Sequence, residues 1–402
     1  MAYTMRAMAG DAERPAGESG AVAVVTVYGY RSWWLQQVRT CRVRQADPFL
    51  LSHAVGINYG RLADNLPPPS KAVELMKSIN AGYVEIYDAN PEVLKALANS
   101  SLPEVPGMAS STTTSDQWLR TNLLPYYPLT KISIIMVGNE ILSNTQLQPY
   151  LVPAMQNMHT SLQKLNLDSS VKVTTSVAMD ALSSSYPPSN GSFRPELAMS
   201  VIQPMLSFLS ATDSYFFLDV YPFFAWNSDP ANISLDYVLF GEITADVVQD
   251  GILSYSIMLD AQLDAAIAAM ATLGYGEVKV VISETGWPTN GDSSGATVAN
   301  AASYNTRLVS KFLSNSGSPR RPQTFFPTFI FALFNEGQKP GATIERNWGL
   351  FYADGTPVYD IDLSAGVIKT LEAWRRRRRL FLVNLFGRSF CAQPICFYYL
   401  FF

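Results

Sequence analysis

Seven short runs of apolar, mostly β-branched or aromatic residues recur between residues 55 and 334, with longer helix-periodic segments between most of them. That alternation restricts the fold more than any other feature of the chain. The runs fall at 55–59, 83–87, 132–137, 171–177, 215–221, 278–283 and 328–334. Helical patterns stand at 70–79, 91–98, 149–165, 261–273 and 296–313, several opened by Pro or Ser. Strands this apolar are buried on both faces, so they belong to a parallel sheet whose crossovers are helices. An eighth strand would close a barrel. The segment 99–114, SSLPEVPGMASSTTT after Asn99, should supply the third but brings two prolines and few β-branched residues. The expectation is therefore a (β/α)8 TIM barrel whose third strand is weak or missing, leaving the second and fourth imperfectly bridged. An open doubly wound sheet is the alternative, though no G-x-G-x-x-G or Walker loop supports it.

Composition narrows the function. With 48% hydrophobic residues, 15% charged residues and a net charge of −4, the chain carries no basic field for nucleic acid. Neither His53 nor His159 neighbours a plausible nucleophile, so carboxylates must perform any acid/base work. The cysteines Cys41, Cys391 and Cys396 lie outside the patterned region, where they can hold neither a disulfide framework nor a zinc site in the core. Residues 53–374 read as the catalytic barrel. Residues 1–52 read as an atypical leader in which PFLLSHA (48–54) resembles the end of a signal peptide. Residues 375–402 read as a basic and then apolar tail, a candidate membrane segment interrupted by Asn384, Arg388 and Gln393. Sequons at Asn99, Asn190 and Asn232 point to secretion.

In a parallel barrel the chemistry sits where strands end and loops begin. The run KISIIMVG stops at Asn139 and Glu140, and VKVVIS stops at Glu284. Glycoside cleavage needs one carboxyl group to protonate the departing oxygen and another to meet the oxocarbenium-like carbon, with a separation of about 5 Å permitting covalent attack. Asn139 could bond a sugar hydroxyl, and Trp287 could stack on a pyranose face. The bland reading makes Glu140 and Glu284 solvated loop residues; the repeated placement after apolar runs favours the catalytic one.

The segments VGINYGRLADNLPPP, VGNEIL, VISETGWPTNGD, FALFNEGQKPG and ERNWGLFYADGTPVYDI, in this order over residues 54–363, resemble glycoside hydrolase family 17, the plant endo-1,3-β-glucanases. The resemblance implies a (β/α)8 barrel, a β-1,3-glucan substrate such as callose or fungal wall glucan, retention at the anomeric carbon, and no metal or cofactor. It also implies Glu140 as acid/base and Glu284 as nucleophile. Glu336, Lys339 and Glu345 resemble the polar set supporting that pair, with a surface ion pair as the alternative. Tyr59 and Tyr221 resemble residues lining the cleft, with core packing as the alternative. A secreted monomer of the cell wall is expected. Asp219 departs from the family, which usually has Asn two residues before the cleft tyrosine. A glucan-binding protein without turnover and a transglucosylase remain as competing functions.

Overall fold

The computed structural model describes residues 55–88, 92–93, 105–128, 130–241 and 247–364, together with the backbone of Ala21–Thr26. Its strands are β1 Ala21–Thr26, β2 Gly56–Tyr59, β3 Tyr83–Ile86, β4 Lys131–Val137, β5 Lys172–Thr174, β6 Ser176–Ala178, β7 Leu182–Ser184, β8 Ser192–Phe193, β9 Tyr215–Asp219, β10 Val248–Asp250, β11 Leu253–Tyr255, β12 Lys279–Thr285 and β13 Thr328–Ile330. Two small hairpins, β7–β8 and β10–β11, stand apart from the main sheet. All seven predicted runs supply strands, with boundaries displaced by a few residues and the run 171–177 broken at Thr175.

The main sheet runs β5-β4-β1-β3-β2-β13-β12-β9-β6. Its two end strands are consecutive segments of one stave: β5 pairs with β4 while β6, one residue later, pairs with β9. The sheet thereby closes into a barrel of eight staves. Seven staves run parallel, each pushed back by a crossover.

The third stave is the surprise. Among the described residues of 99–114 there is no strand; Val105–Ser110 is helical, followed by a helix over Thr112–Asn122. The expected opening between second and fourth strands is nevertheless bridged. β1, from the leader, pairs antiparallel with β3 on one side and β4 on the other, Ala23 standing opposite both Ile86 and Ile135. The physical reason is that β3 and β4 each present a row of backbone groups that must find partners. The apolar run AVAVVT supplies them. Sequence reasoning placed residues 1–52 outside the wall and an opening in it; both statements are corrected for Ala21–Thr26.

Helices cover the outside. Pro69–Ser78 starts on a proline whose missing N–H costs nothing at a helix start. Ser111 caps Thr112–Asn122 by accepting from the Thr113 N–H at 3.0 Å. Thr297 does the same for Val298–Leu313 through Asn300, and that helix buries Ala301, Tyr304, Leu308, Val309 and Phe312 on one stripe. Gln148–Lys164 and Met258–Thr272 complete the long helices. Of the expected helix 91–98 only residues 92 and 93 are described, and both are helical.

Strand alternation sorts the interior into layers. Tyr83, Ile134, Met136, Tyr215, Phe217, Val281 and Phe329 form an apolar plug inside the barrel, each such burial contributing about 1.5–3 kcal/mol. Gly56 has no side chain because one would overlap the Phe329 ring. Two residues further along their strands, on the same inward face, stand Asn58, Glu85, Asp219 and Ser283, all buried. A polar layer thus lies above an apolar one, on the carboxyl side where the site is built.

Candidate active site

Glu284 owes its position to an irregularity in β12. Ile282 pairs with Leu218 but Glu284, two residues on, pairs with Asp219, one residue on. The extra residue, Ser283, is a bulge, and it lets Ser283 and Glu284 share the inward face that simple alternation would deny one of them. Glu284 is 6% exposed. Tyr87 donates its phenol to Glu284 Oε1 at 2.6 Å, and Tyr221 donates to Oε2 at 2.7 Å. Burial raises the Glu284 pKa, while the two phenols and the Lys339 ammonium act against it. Burial and the facing Glu284 charge push both phenols well above the ordinary tyrosine range, so they remain donors.

Glu140 is placed by a turn. β4 ends at Val137, and Gly138 takes φ +78° where any side chain would also strike Ile141. Glu140 itself has φ 48°, a left-handed conformation costing a residue with a Cβ roughly 1 kcal/mol. Its backbone N–H donates to Ser176 Oγ at 3.2 Å, and Ser176 donates to Asn139 Oδ1 at 2.6 Å. Both glutamates act electrostatically on Tyr221 and Asp219, which places them around one mouth. Asn139 is brought there with Glu140, its carbonyl oxygen engaged and its orientation fixed by Ser176.

The supporting set is partly assembled. Glu336, 3% exposed, accepts from the Leu62 N–H at 2.9 Å, and a side chain at Gly60 would overlap its carboxylate. Lys339 Nζ lies 3.5 Å from Glu336 and 4.3 Å from the centre of the Phe331 ring. Lys339, partly exposed, is thereby held beside Glu336 with its charge acting on Glu284. Glu345 sits half-buried in the short helical turn Thr343–Arg346, and Lys339 pairs with Glu336 rather than with it.

Two aromatic assignments need correction. Trp287 is fully buried, donates Nε1–H to the Gly295 carbonyl at 2.8 Å, and packs against Phe223, Trp226 and Tyr304. It has no free face for a sugar. The hydrophobic return on burying an indole outweighs exposure once a backbone carbonyl satisfies its N–H. Tyr59 is 2% exposed and lies 5.9 Å from the Phe334 ring; it is core at a strand end, with Arg61 and Asp88 near its hydroxyl. Tyr221 is half-buried, with its hydroxyl on Glu284. Sequence reasoning missed Tyr87, Ser176 and Glu85. The signal for Tyr87 was present: it ends an apolar run as Tyr59 and Tyr221 do. Glu85 offered none beyond a charge inside a strand pattern.

Against this geometry the comparisons are direct. The model of glycosyl hydrolases family 17 matches residues 55–363. The probable glucan endo-1,3-beta-glucosidase A6 of Arabidopsis thaliana is 45% identical over 329 residues, covering 78% of this chain and 68% of the relative. Glucan endo-1,3-beta-glucosidase 13 of the same plant is 42% identical, and the chain spans 64% of its length. Among solved structures, CJP38, a beta-1,3-glucanase and allergen of Cryptomeria japonica pollen, superposes with a TM-score of 0.73 at 40% identity, covering 77% of this chain and 99% of that one. A plant beta-glucan endohydrolase superposes at 0.70 with 35% identity, covering 77% of this chain and 100% of that one. The matched segment holds the seven parallel staves and both glutamates, though not β1, and the chain belongs to glycosyl hydrolases family 17.

Proposed function

We propose that the chain hydrolyses internal β-1,3 linkages of glucan with retention, Glu284 acting as nucleophile and Glu140 as general acid and then general base. One observation carries the reading. Glu284 is a buried carboxylate whose two oxygens each receive a tyrosine proton at the end of a barrel strand. Such a group is held ionised and aimed, and that is the state of a nucleophile. Its attack on the anomeric carbon forms a glycosyl ester as Glu140 protonates the departing oxygen. Glu140, now a carboxylate, then takes a proton from the incoming water, and the ester breaks with Glu284 released. Lys339 favours the ionised nucleophile. Asn139, anchored through its carbonyl, has its amide N–H groups to offer a sugar hydroxyl.

The relatives' names supply the substrate class, since they are glucan endo-1,3-beta-glucosidases and beta-1,3-glucanases. Secretion as a wall-acting monomer belongs to the same proposal; Asn190 and Asn232, both exposed, suit sequon glycosylation. The competing picture of an inert glucan binder rested on an incomplete wall, and the closed barrel removes that ground. The test is incubation with laminarin, reading the anomer first released by proton NMR. The β-anomer at new reducing ends is expected. Release of the α-anomer first, or cleavage of β-1,4-glucan in preference, would sink the proposal, and products longer than the substrate would reassign the chain to glucosyl transfer.

A further inference from the structure

Asp219 is a buried acid that the proposed chemistry does not use. It closes β9 on the inward face, in register with Glu284 across the bulge and with Ala178 on the other side. It is 2% exposed, and the hydrogen-bonding group that bears on its carboxyl is the Ser176 hydroxyl. The hydroxyl beside it, Ser176 Oγ, directs its proton to Asn139. The charged and titratable groups facing it are Glu284 from β12, Glu140 beyond the end of β4, Glu85 from β3, and Tyr221 two residues beyond the end of its own strand. Every one is acidic. The cation of the site, Lys339, is directed at Glu336 and Glu284.

An ionised carboxylate in that position would lie buried among other acids with no counter-charge directed at it, a combination worth several kcal/mol of penalty in a protein interior. A carboxylic acid in the same place costs far less. It offers one O–H donor and one carbonyl acceptor, the pattern of an amide. We propose that Asp219 is a positioning residue of the hydrolytic site that works as an uncharged carboxylic acid, donating its proton to the Ser176 oxygen and so holding the layer that carries Asn139 and Glu140 without adding charge to it. Burial, followed by the charges of Glu284 and Glu140, holds its proton well above the usual carboxylate range.

Linkage fixes the sign of the consequence. The folded state keeps the proton after the unfolded chain has lost it, so stability falls as pH rises from about 3.9 toward the raised folded value. An amide at 219 has no such loss. This inference rests on Glu284 as nucleophile, but melting curves read the Asp219 proton without substrate, so its failure is distinguishable from failure of the glucanase reading.

The experiment compares Asp219→Leu and Asp219→Asn in the full chain. Asp219→Leu, which removes hydrogen bonding and keeps the branched shape, should lower kcat by about tenfold with KM little moved, the size of one buried hydrogen bond. Asp219→Asn should restore most of that loss and keep the acid limb of kcat/KM where the wild type has it. The Asn variant should also gain in Tm over the wild type progressively from pH 4 to pH 8. An acid limb displaced downward by about one unit in Asp219→Asn would show that Asp219 carries charge beside the nucleophile, and would overturn the proposal. A Tm difference that ignores pH, or an Asn variant as impaired as the Leu one, would overturn it equally. If neither variant folds, a chain carrying both Glu85→Gln and Glu140→Gln, which retains Asp219, must show the infrared C=O band of an unionised carboxylic acid at pH 7; its absence refutes the proposal.

Discussion

Two arcs of the barrel wall are built on opposite plans. From β2 through β13 and β12 to β9 every stave is parallel, so every stave delivers its carboxyl end to the same mouth. That arc carries Glu284, Asp219, Tyr221 and the loop with Glu336 and Lys339. Across the barrel, β1 sits antiparallel between β3 and β4, Ala21 opposite Val137 near the mouth and Thr26 opposite Lys131 at the far end. It offers its beginning, not its end, to the catalytic face. The difference teaches that closing a barrel and equipping it are separable demands. Any strand of the right apolarity can satisfy backbone donors and acceptors, whereas only a parallel stave brings its following loop to the chemistry.

If that division is real, damage on the two arcs should have different signatures. Glu284→Gln should abolish turnover by several orders of magnitude while glucan binding and Tm persist, because an amide keeps the shape but cannot form the ester. Appreciable residual hydrolysis would remove Glu284 from the role. Glu140→Gln should lose about 10²–10⁴-fold on glucan. It should lose much less on an aryl glucoside whose leaving group needs no proton, so equal losses would deny Glu140 the acid's part.

On β1 itself, Val24→Pro removes a ladder donor from a stave hydrogen-bonded on both sides, leaving groups whose loss costs roughly 1–3 kcal/mol each. Tm should fall by several degrees while kcat at 25 °C holds. An unchanged melting curve would show that β1 does not close the wall.

The pH profile sharpens the catalytic side. Because burial holds Glu284 above the ordinary carboxylate range, activity should fail on the acid side at a higher pH than a free glutamate would dictate. Tyr87→Phe takes one donor from the anion, disfavours ionisation and should move that limb upward by about one unit. A limb that stays in place would mean that Tyr87 does not stabilise the charge. The smallest effect is expected at Trp287→Phe, with KM within about twofold and only stability reduced, since the indole packs in the core and touches no cleft. A large rise in KM would return Trp287 to the cleft.

Much of this was legible in the chain before folding. Apolar runs of strand length separated by helix-periodic segments specify parallel staves, since that pattern can be buried on both faces only between crossover helices. Glutamates directly after such runs are recognisable as candidates because barrel geometry carries strand ends to one face. The sequence could not determine what fills the third position, because an antiparallel partner 57 residues before β3, from Thr26 to Tyr83, leaves no local periodicity to read. Nor could it separate Trp287 from a sugar platform or Tyr87 from core. An aromatic at a strand end has the same local chemistry in either case, and only the neighbouring helices and strands decide whether water, a sugar or another ring meets its face. Asp219 shows the limit most plainly: its charge is written in the sequence, but whether it is kept depends on burial beside Glu284, Glu140 and Glu85, which the folded barrel alone imposes.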